Sequence, residues 1–548
     1  MLACALALIW PALALPCHAQ EVSEEPNQLY PVKGIVLNSV THQPVARALV
    51  DSHEGAVLTD NDGHFELNLP EGVTQVSVKR PGYGVRGQPS NHTVHIGPNM
   101  PSLTFTVIPE ALITGQVTLS TSDPADGIRV FAYRRRIVNG RQQWTVENST
   151  RTNVDGAFRI SGLQAGDYLV YTVPTRDSDG PLTRQSTIYG YPAAYYPGVT
   201  DMASASLLTL SAGQQGQADF ILNRQEFYRV TVSVTNREIG GGLNIQVRDH
   251  NGRPVGIPVP FNAEQGTGLT NLPNGSYFLE AHYRGESQLY GRVDFTVAGA
   301  PVNGLHLALT PLHPIPVTIR RVVAATSSNG NGGVLLADGS PANGPSGAGV
   351  NISLVSADEF FGQARGMGGL RPVEGSTDGS SFEIENVTPG RYWVETSAFE
   401  GYVSSITSGG VDLAREPLVV GAGGSTAPIE VTLRDDSATI TAQINGGPPG
   451  SAPTTGEQHE VYVYAIPLFS SSGPIKMTGG QASGDVSLPG LAPGSYRVVA
   501  FDGPQEIDFH TSDGLAKYAT LGETATVDAG GSAHLQLDVI HTGNADTQ

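Results

Sequence analysis

The sequence has 548 residues, of which 39% are hydrophobic, and it carries 31 basic against 51 acidic residues for a net charge of −20. The hydrophobic content excludes a disordered chain. The acidic balance argues against nucleic acid as a partner and against adsorption to an anionic membrane surface. Glycine (67) and proline (38) are abundant, which predicts many tight turns between short strands.

The first 19 residues have the pattern of a signal peptide. Residues 2–15 are almost wholly apolar, and small residues follow up to a cleavage point after Ala19. A transmembrane anchor is the rival interpretation, but this run is short for a bilayer span. We therefore expect an exported protein, in the periplasm, on the outer surface or secreted, with no membrane span after signal removal. Both cysteines, Cys4 and Cys17, lie in this segment, so the mature chain is expected to lack disulfides and thiol chemistry.

One short pattern recurs five times along the chain. It consists of an apolar residue, two spacers, a glycine and, two positions later, usually a tyrosine. A separation of about 100 residues between copies is typical of one sandwich domain per copy, which predicts an all-β chain of tandem immunoglobulin-like or transthyretin-like β-sandwich domains. The fourth domain is expected to contain long Gly-rich loops. The copies lie at residues 69–72, 163–168, 272–277, 387–392 and 491–496. The predicted domains are residues 28–109, 110–224, 225–311, 312–435 and 436–542.

The physical basis of this pattern is a tight turn followed by a strand. The glycine can adopt a positive φ angle, and the tyrosine is expected to pack on the core with its hydroxyl group at the corner of the sandwich. Residues 168–173 and 496–501 alternate after the turn, which predicts half-buried strands.

A second pattern combines an Asp-Gly turn with a phenylalanine. It occurs at residues 59–65 and 153–158, with a looser copy at 377–382. Asp-Gly favours a hairpin turn, and the phenylalanine is expected to face the core. A calcium loop at residues 60–62 is the weaker alternative, because the acidic ligands that an EF-hand needs are missing. The only helical pattern is a modest one at residues 508–518.

These patterns together resemble a known family. The first domain has a G-x-V opening at residues 34–36, P-x-x-x-A-x-V at 44–50, T-D-x-D-G-x-F at 59–65 and Gly-Tyr at 82–83. It resembles the carboxypeptidase regulatory-like domain, and the second domain is similar to it. The resemblance implies a seven-stranded transthyretin-like sandwich and an extracytoplasmic, non-catalytic companion module. The layout also resembles large exported multidomain proteins of soil bacteria such as acidobacteria.

No motif for catalysis, cofactor binding or metal binding is found. The only H-x-x-E match is residues 18–21, across the predicted cleavage site, and neither H-E-x-x-H nor a nucleophile elbow occurs. No phosphate-binding Gly loop precedes a helix. We therefore expect no enzyme activity and no cofactor or metal, with an unrecognised site of separated carboxylates as the remaining enzyme hypothesis.

Two clusters are candidate ligand-binding sites. Four tyrosines in a Pro/Gly segment could stack against sugar rings or a peptide, although packing of a long crossover over the sandwich edge is favoured. An arginine-rich segment with Arg141, expected to be a hairpin, could bind an acidic glycan or a partner's carboxylates; it could equally contact the protein's own acidic surface or be a solvated hairpin, which is favoured. The candidate residues are Tyr189, Tyr191, Tyr195, Tyr196, Arg134, Arg135, Arg136 and Trp144.

The leading hypothesis is a non-enzymatic exported scaffold or binding protein at the cell envelope. Its partner would be an extracellular or envelope protein or a polysaccharide. The alternative is a carbohydrate-binding protein that assists polysaccharide degradation through the tyrosine segment.

Overall fold

The structure is a computed structural model. The predicted signal peptide, most of the predicted Gly-rich loops and the turn at residues 377–379 lie outside the residues it describes. The described residues are 28–84, 90–98, 100–177, 187–236, 242–285, 288–323, 348–358, 360, 369–374, 380–445, 460–481 and 483–541.

The chain is nearly all β, which confirms the predicted class of tandem β-sandwiches. We use the word module for a set of strands that share one hydrophobic core. Most of the first module forms one compact unit, made of the described residues between 28 and 105 apart from 38–42 and 80–84. The other described residues, with the second to fifth modules, form a second unit. The exact domain boundaries given above stay a prediction.

The first module has seven strands in two sheets, ordered β4-β1-β7 and β3-β2-β5-β6. A side chain on Gly34 of β1 would lie 2.5 Å from the Phe65 ring, and one on Gly115 in the second module would lie 2.8 Å from Phe158. The G-x-V and D-G-x-F patterns therefore occur together because the phenylalanine packs over the glycine. The strands are β1 (Leu29–Asn38), β2 (Leu49–Ser52), β3 (Gly55–Leu58), β4 (His64–Pro70), β5 (Gly72–Lys79), β6 (Ser90–Ile96) and β7 (Leu103–Val107).

The second module also consists of two facing sheets. One has the order β10-β9-β12-β15 with β16 beside β12, and the other has β11-β8-β17 with β18 beside β8. The elements are β8 (Ala111–Leu119), β9 (Arg129–Val138), β10 (Arg141–Arg151), β11 (Ala157–Leu163), β12 (Gly166–Thr172), β13 (Thr175–Arg176), β14 (Ile188–Tyr191), β15 (Ala194–Tyr195), the 3-10 helix Met202–Ser204, β16 (Leu208–Leu210), β17 (Gln215–Gln217) and β18 (Phe220–Leu222).

The third module takes one strand pair from the preceding stretch of chain. Its sheets have the orders β13-β14-β19-β22-β21, with β25 beside β19, and β20-β23-β24-β26. Residues 188–195 therefore place β14 in a sheet of the third module and β15 in a sheet of the second. The remaining strands are β19 (Gln225–Thr235), β20 (Gly242–Asp249), β21 (Phe261–Asn262), β22 (Thr267–Leu272), β23 (Gly275–Arg284), β24 (Gln288–Val297), β25 (Val302–Ala308) and β26 (Thr310–Pro311).

The fourth module has a six-stranded sheet, β29-β30-β27-β35-β32-β33, facing the three strands β28-β31-β34. Its elements are β27 (Ile315–Val322), β28 (Val350–Ser356), β29 (Leu370–Pro372), β30 (Ser381–Ile384), β31 (Gly390–Ala398), β32 (Tyr402–Ser408), β33 (Val411–Asp412), β34 (Leu418–Val420), the 3-10 helix Ala422–Gly424 and β35 (Ile429–Arg434).

The fifth module orders its strands β38-β37-β40-β42-β36-β39, with β41 beside β40. Its short helix α1 confirms the helical pattern at residues 508–518 and is shorter than that pattern. The elements are β36 (Ala438–Asn445), β37 (Glu460–Pro467), β38 (Lys476–Gln481), β39 (Ser483–Leu491), β40 (Gly494–Phe501), α1 (Ser512–Ala516), β41 (Glu523–Val527) and β42 (Ser532–Ile540).

The Gly–Tyr corner has the same geometry in four modules. Each tyrosine ring is buried, and its hydroxyl donates to the backbone carbonyl four residues earlier. This confirms the expected role and is the tyrosine corner of immunoglobulin-type sandwiches. The bonds run from Tyr168 to Gln164 (2.6 Å), from Tyr277 to Pro273 (3.1 Å), from Tyr392 to Thr388 (2.8 Å) and from Tyr496 to Ala492 (2.7 Å).

The Asp-Gly turns are closed by side-chain oxygens. Asp60 Oδ1 accepts from the backbone N–H groups of Asp62 (2.9 Å) and His64 (2.8 Å). Asn153 Oδ1 makes the same contacts in the second module, to residues 155 (3.1 Å) and 157 (2.9 Å). Because the Asp60 carboxylate is used by the turn itself, the structure agrees with the plain turn in preference to a calcium loop.

The prediction of half-buried strands after the corner is wrong for β12 and β40. In β12 both Leu169 and Tyr171 are buried as well as the inward-facing Tyr168 and Val170. In β40 the outward-facing Val499 is fully buried. A second aromatic cluster covers these outward-facing side chains and shields them from water.

Candidate functional site

The arginine-rich segment forms the predicted hairpin. Strands β9 and β10 pair from Val138 and Arg141 at the tip down to Arg129 and Arg151. Asn139 (φ +51°) and Gly140 (φ +76°) form the two-residue turn between them, which is the Asn-Gly sequence that such hairpins favour. The hairpin is long enough to reach beyond its own module, and its tip contacts the fourth and fifth modules.

The three consecutive arginines have different environments. Arg134 is half-buried and donates to Gln164 at the corner of its own module. Arg135 is exposed, with its guanidinium 6.0 Å from the centre of the Trp144 ring opposite on β10. Arg136 is paired with Glu506 of the fifth module, as described next. The cluster is therefore split, and one of its members binds the protein's own acidic surface, as one of the sequence interpretations proposed.

The Arg136–Glu506 ion pair joins two guanidinium nitrogens to a single carboxylate oxygen. Nε and Nη2 of Arg136 donate to Oε1 of Glu506 at 2.9 and 2.6 Å, and the backbone N–H of Ile137 donates to Oε2 at 3.2 Å. Both side chains are about one-third exposed. Charge-assisted pairs of this geometry are stronger than single neutral hydrogen bonds.

The tip of the hairpin contacts the outer face of β31 in the fourth module. Asn139 Nδ2 donates to Glu395 Oε2 at 2.6 Å. The Arg141 guanidinium lies 3.4 Å from the centre of the Trp393 ring, an arrangement that stabilises both groups through cation–π attraction. These two residues of β31 are two positions apart and therefore face the same side of the strand.

The same tip contacts the segment before α1 in the fifth module. A side chain on Gly140 would lie 2.2 Å from the ring of Phe509, so only glycine allows this approach. Next to it, Gln142 Nε2 donates to Asp508 Oδ2 at 3.1 Å. Asp508 is 1% exposed and also accepts from the Thr511 hydroxyl at 2.7 Å.

Trp144 belongs to an aromatic cluster on the outer face of the second module. Its ring is 7% exposed and is stacked on Phe360, with centroids 6.4 Å apart and planes at 11°. Phe360 also meets Tyr133 edge-on at 5.7 Å. The geometry agrees with a packing role for Trp144.

Arg253 is the main residue of this region that sequence reasoning missed. It is 4% exposed, and its guanidinium lies 3.8 Å from the centre of the Tyr171 ring and 4.5 Å from that of Tyr195. Its Nη2 donates to Asp249 Oδ2 at 2.6 Å. A buried cation of the third module is thus stabilised by a carboxylate and by aromatic faces of the second.

The four candidate tyrosines do not form one exposed platform. Tyr195 is 2% exposed and lies on Tyr171, and Tyr196 is half-buried against Phe220 at 6.1 Å. Tyr191 is half-buried beside the core of the second module. Tyr189 is 38% exposed, with the Arg224 guanidinium 4.3 Å from its ring centre. This arrangement agrees with the packing interpretation for Tyr195 and Tyr196.

Burial shifts the pKa of three groups around the hairpin tip. It raises the pKa of Glu395 to about 7, against the lowering effects of the Asn139 hydrogen bond and the Arg141 charge. Burial lowers the pKa of Arg141 to about 10 and the pKa of His510 to about 4. Of these three groups, only Glu395 has a pKa near neutral pH.

Among the described residues, no group of three or more His, Cys, Asp or Glu side chains is arranged to hold a metal ion. In the same part of the chain, no helix has both the length and the apolar character needed to cross a membrane.

No protein-family model and no curated protein matches the sequence. The resemblance to the carboxypeptidase regulatory-like domain therefore stays a prediction.

Several solved structures are similar to parts of this chain. The TIE protein of Bacillus anthracis is 15% identical with a TM-score of 0.16, over 52% of this chain and 51% of its own, so this chain spans about half its length. A streptococcal ancillary pilin is 11% identical with a TM-score of 0.18, over 52% of this chain and 100% of its own. The major pilin subunit of Bacillus cereus is 10% identical with a TM-score of 0.13, over 78% of this chain and 99% of its own. TM-scores this low carry no conclusion about activity.

Proposed function

We propose that the protein is a non-enzymatic, exported scaffold that holds β-sandwich modules in a fixed arrangement at the cell envelope and acts through contacts with other proteins. The carrying observation is that the hairpin of the second module is held by two other modules at once. Arg136 pairs with Glu506 of the fifth module, while Asn139 and Arg141 contact β31 of the fourth.

Modules joined only by linkers move independently by default, unless the interface between them is extensive. Here the contacts include the Arg136–Glu506 ion pair, a cation–π contact and the close approach of Gly140 to Phe509. Arg253 adds a fourth contact, between the second and third modules. Three of the side chains that the sequence offers for recognition, Arg136, Trp144 and Tyr195, thus contact other modules of the same chain, which supports a scaffold.

Glycan binding has less support. Rings that stack on sugars must present an open face, and two of the four candidate tyrosines pack against neighbouring aromatic rings. The specific prediction that Tyr195 and Tyr196 carry polysaccharide binding is checked by a pull-down with the Tyr195→Ala/Tyr196→Ala variant.

The scaffold is tested on the full chain by a distance measurement between modules. Nitroxide labels are attached at Val154→Cys in the second module and Met477→Cys in the fifth, which are 72% and 50% exposed, with Cys4 and Cys17 replaced by serine. We expect pulsed electron–electron double resonance to give one narrow distribution of the distance between the two labels. Arg136→Ala is expected to broaden it.

Arg371→Ala is the matched control, because Arg371 is exposed and pairs with Glu385 of its own module at 3.0 Å; this variant is expected to leave the distance unchanged. A broad distribution in the wild-type chain would show that the modules move freely and would refute the scaffold. Cell fractionation tests the proposed export to the cell envelope. Recovery of the protein from the cytoplasm would refute this part of the proposal.

A further inference from the structure

The turn at the hairpin tip has a sequence that can react with itself. Asparagine is a chemically labile residue, and in an Asn-Gly pair no side chain on the second residue hinders its backbone nitrogen from approaching the asparagine side chain. Asn139 is exposed to water, whereas Gly140 is buried, and a side chain on Gly140 would lie 2.2 Å from the Phe509 ring. The turn that contacts the fourth and fifth modules is therefore also a candidate site of deamidation.

Deamidation of this turn would take two steps. The backbone nitrogen of Gly140 attacks Cγ of Asn139, the Cγ–Nδ2 bond breaks, and Nδ2 leaves as ammonia with the proton that the Gly140 nitrogen loses. Water then opens the five-membered imide ring. Breaking the new N–Cγ bond gives aspartate, and breaking the original peptide bond gives isoaspartate, in which the chain runs through Cγ. Water is the only co-reactant, and nothing is oxidised or reduced.

Docking of the tip holds both reacting groups away from this path. Nδ2 of Asn139, the leaving group, donates to Oε2 of Glu395 at 2.6 Å. The backbone of the turn is fixed at φ +51° for Asn139 and +76° for Gly140, with Gly140 against Phe509. Ring closure requires the Asn139 side chain to swing towards the next backbone nitrogen. The amide must then leave Glu395, and the turn must change its dihedral angles.

The products cannot make the contact that the asparagine makes. An ionised aspartate only accepts hydrogen bonds, so it would place a second carboxylate against Glu395 where the amide donor had been. The charge of Arg141 acts on Glu395 and offsets one of two negative charges, not both. Isoaspartate adds a carbon atom to the path of a two-residue turn, which disturbs the pairing of Val138 with Arg141.

We propose that Asn139–Gly140 is a deamidation site that reacts when the hairpin tip leaves the fourth and fifth modules, and whose products prevent the tip from docking again. The inference rests on the proposed scaffold, because it concerns a contact that fixes the modules. An opening of the tip becomes permanent whenever the reaction occurs before the tip returns. The stability of docking therefore sets the lifetime of the fixed arrangement.

The first test measures the rate of deamidation in the full chain at pH 8. Mass spectrometry of tryptic peptides detects each converted asparagine by the change from –NH2 to –OH. Because the reaction needs the open tip, its rate follows the open fraction. Arg136→Ala removes the neighbouring ion pair with Glu506, and we expect it to speed the conversion of Asn139 by roughly fivefold.

The Asn303–Gly304 pair is the internal control in the same digest. Asn303 is exposed, and its Oδ1 accepts from the Thr231 hydroxyl of its own module at 3.2 Å, so its rate should be equal in both chains. Equal rates at Asn139 in wild type and Arg136→Ala would overturn the proposal. An Asn139 that stays unconverted in Arg136→Ala would do the same.

The second test asks whether the product blocks docking. Labels are attached at Val154→Cys in the second module and Val419→Cys on β34 of the fourth, which are 72% and 64% exposed, with the native cysteines replaced by serine. Distances are recorded at pH 8, where Glu395 is above its pKa of about 7. We expect Asn139→Asp to give a broader distribution than wild type.

Asn139→Gly is the matched variant, because Gly-Gly also favours this turn and lacks both the donor and the charge. It is expected to stay close to the narrow wild-type peak. Equal distributions for Asn139→Asp and Asn139→Gly would overturn the proposed block while leaving the scaffold intact. A broad distribution in the chain with Asn139 unchanged would instead refute the scaffold.

Discussion

At the scale of single residues, the corner tyrosine repeats one hydrogen bond through most of the chain. Its hydroxyl reaches the carbonyl four residues back, across the turn that precedes its own strand. At Gly72, Gly166 and Gly494 the φ angle lies between +132° and +150°, a conformation that only glycine adopts without steric strain. The glycine thus sets the turn and the tyrosine fixes it to the core.

Tyr168→Phe tests this bond. The variant keeps the buried ring but leaves the Gln164 carbonyl without its donor, so we expect a loss of about 1 kcal/mol in the free energy of unfolding. Urea unfolding followed by fluorescence measures it. Tyr189→Phe is the control, because that ring is 38% exposed and should give no change. Equal stability of Tyr168→Phe and wild type would show that the hydroxyl is not stabilising.

The corner could be predicted from the sequence because all of its atoms lie within six residues of one another. Arg253 could not. Its partners Tyr171 and Tyr195 belong to another module, and an isolated arginine after an Asp-Gly-type turn has no sequence signal that separates a buried cation from a solvated one.

At the scale of elements, the β9–β10 hairpin could be predicted from the sequence only in part. The Asn-Gly turn and the flanking strands follow from local sequence, whereas the destination of the tip does not. Arg136 and Glu506 are 370 positions apart. The burial of β12 on both faces could have been predicted from the sequence. Residues 168–171 are apolar or aromatic at every position, which is typical of a strand covered on both sides.

A double-mutant cycle at Arg136 and Glu506 measures the strength of this long-range contact. We expect Arg136→Ala and Glu506→Gln to be non-additive by roughly 1 kcal/mol, since the pair is charge-assisted but both side chains are about one-third exposed. Urea unfolding of the four chains gives the coupling energy. Additive effects would mean that the ion pair does not hold the two modules together.

At the scale of the whole molecule, two groups near the hairpin tip respond to acid in opposite directions. Burial raises the pKa of Glu395 to about 7, so the stability that this residue contributes is present at low pH and is lost as the pH rises through 7. The pKa of His510 is lowered by burial to about 4, so its folded form prefers to be neutral. The stability that this residue contributes is present above pH 6.5 and is lost as the pH falls through 4.

His510→Gln isolates the second effect. Wild type is expected to lose roughly 1 to 3 kcal/mol between pH 6.5 and pH 4 through this residue, and the glutamine variant should lose correspondingly less. Thermal unfolding midpoints across that range measure the difference. His53→Gln, at an exposed turn, is the control. Parallel midpoint curves for wild type and His510→Gln would contradict the assignment.

The segment at residues 188–195 also constrains how a chain of this kind can be rearranged in evolution. Similar corners in successive modules are what gene duplication leaves behind. A duplicated module can be exchanged, lost or copied only if it carries all of its own strands. Because β14 belongs to a sheet of the third module and β15 to one of the second, a recombination junction at residues 224 and 225 would leave the third module without β13 and β14, the strand pair at one edge of its sheet. We therefore expect these two modules to be inherited as a pair.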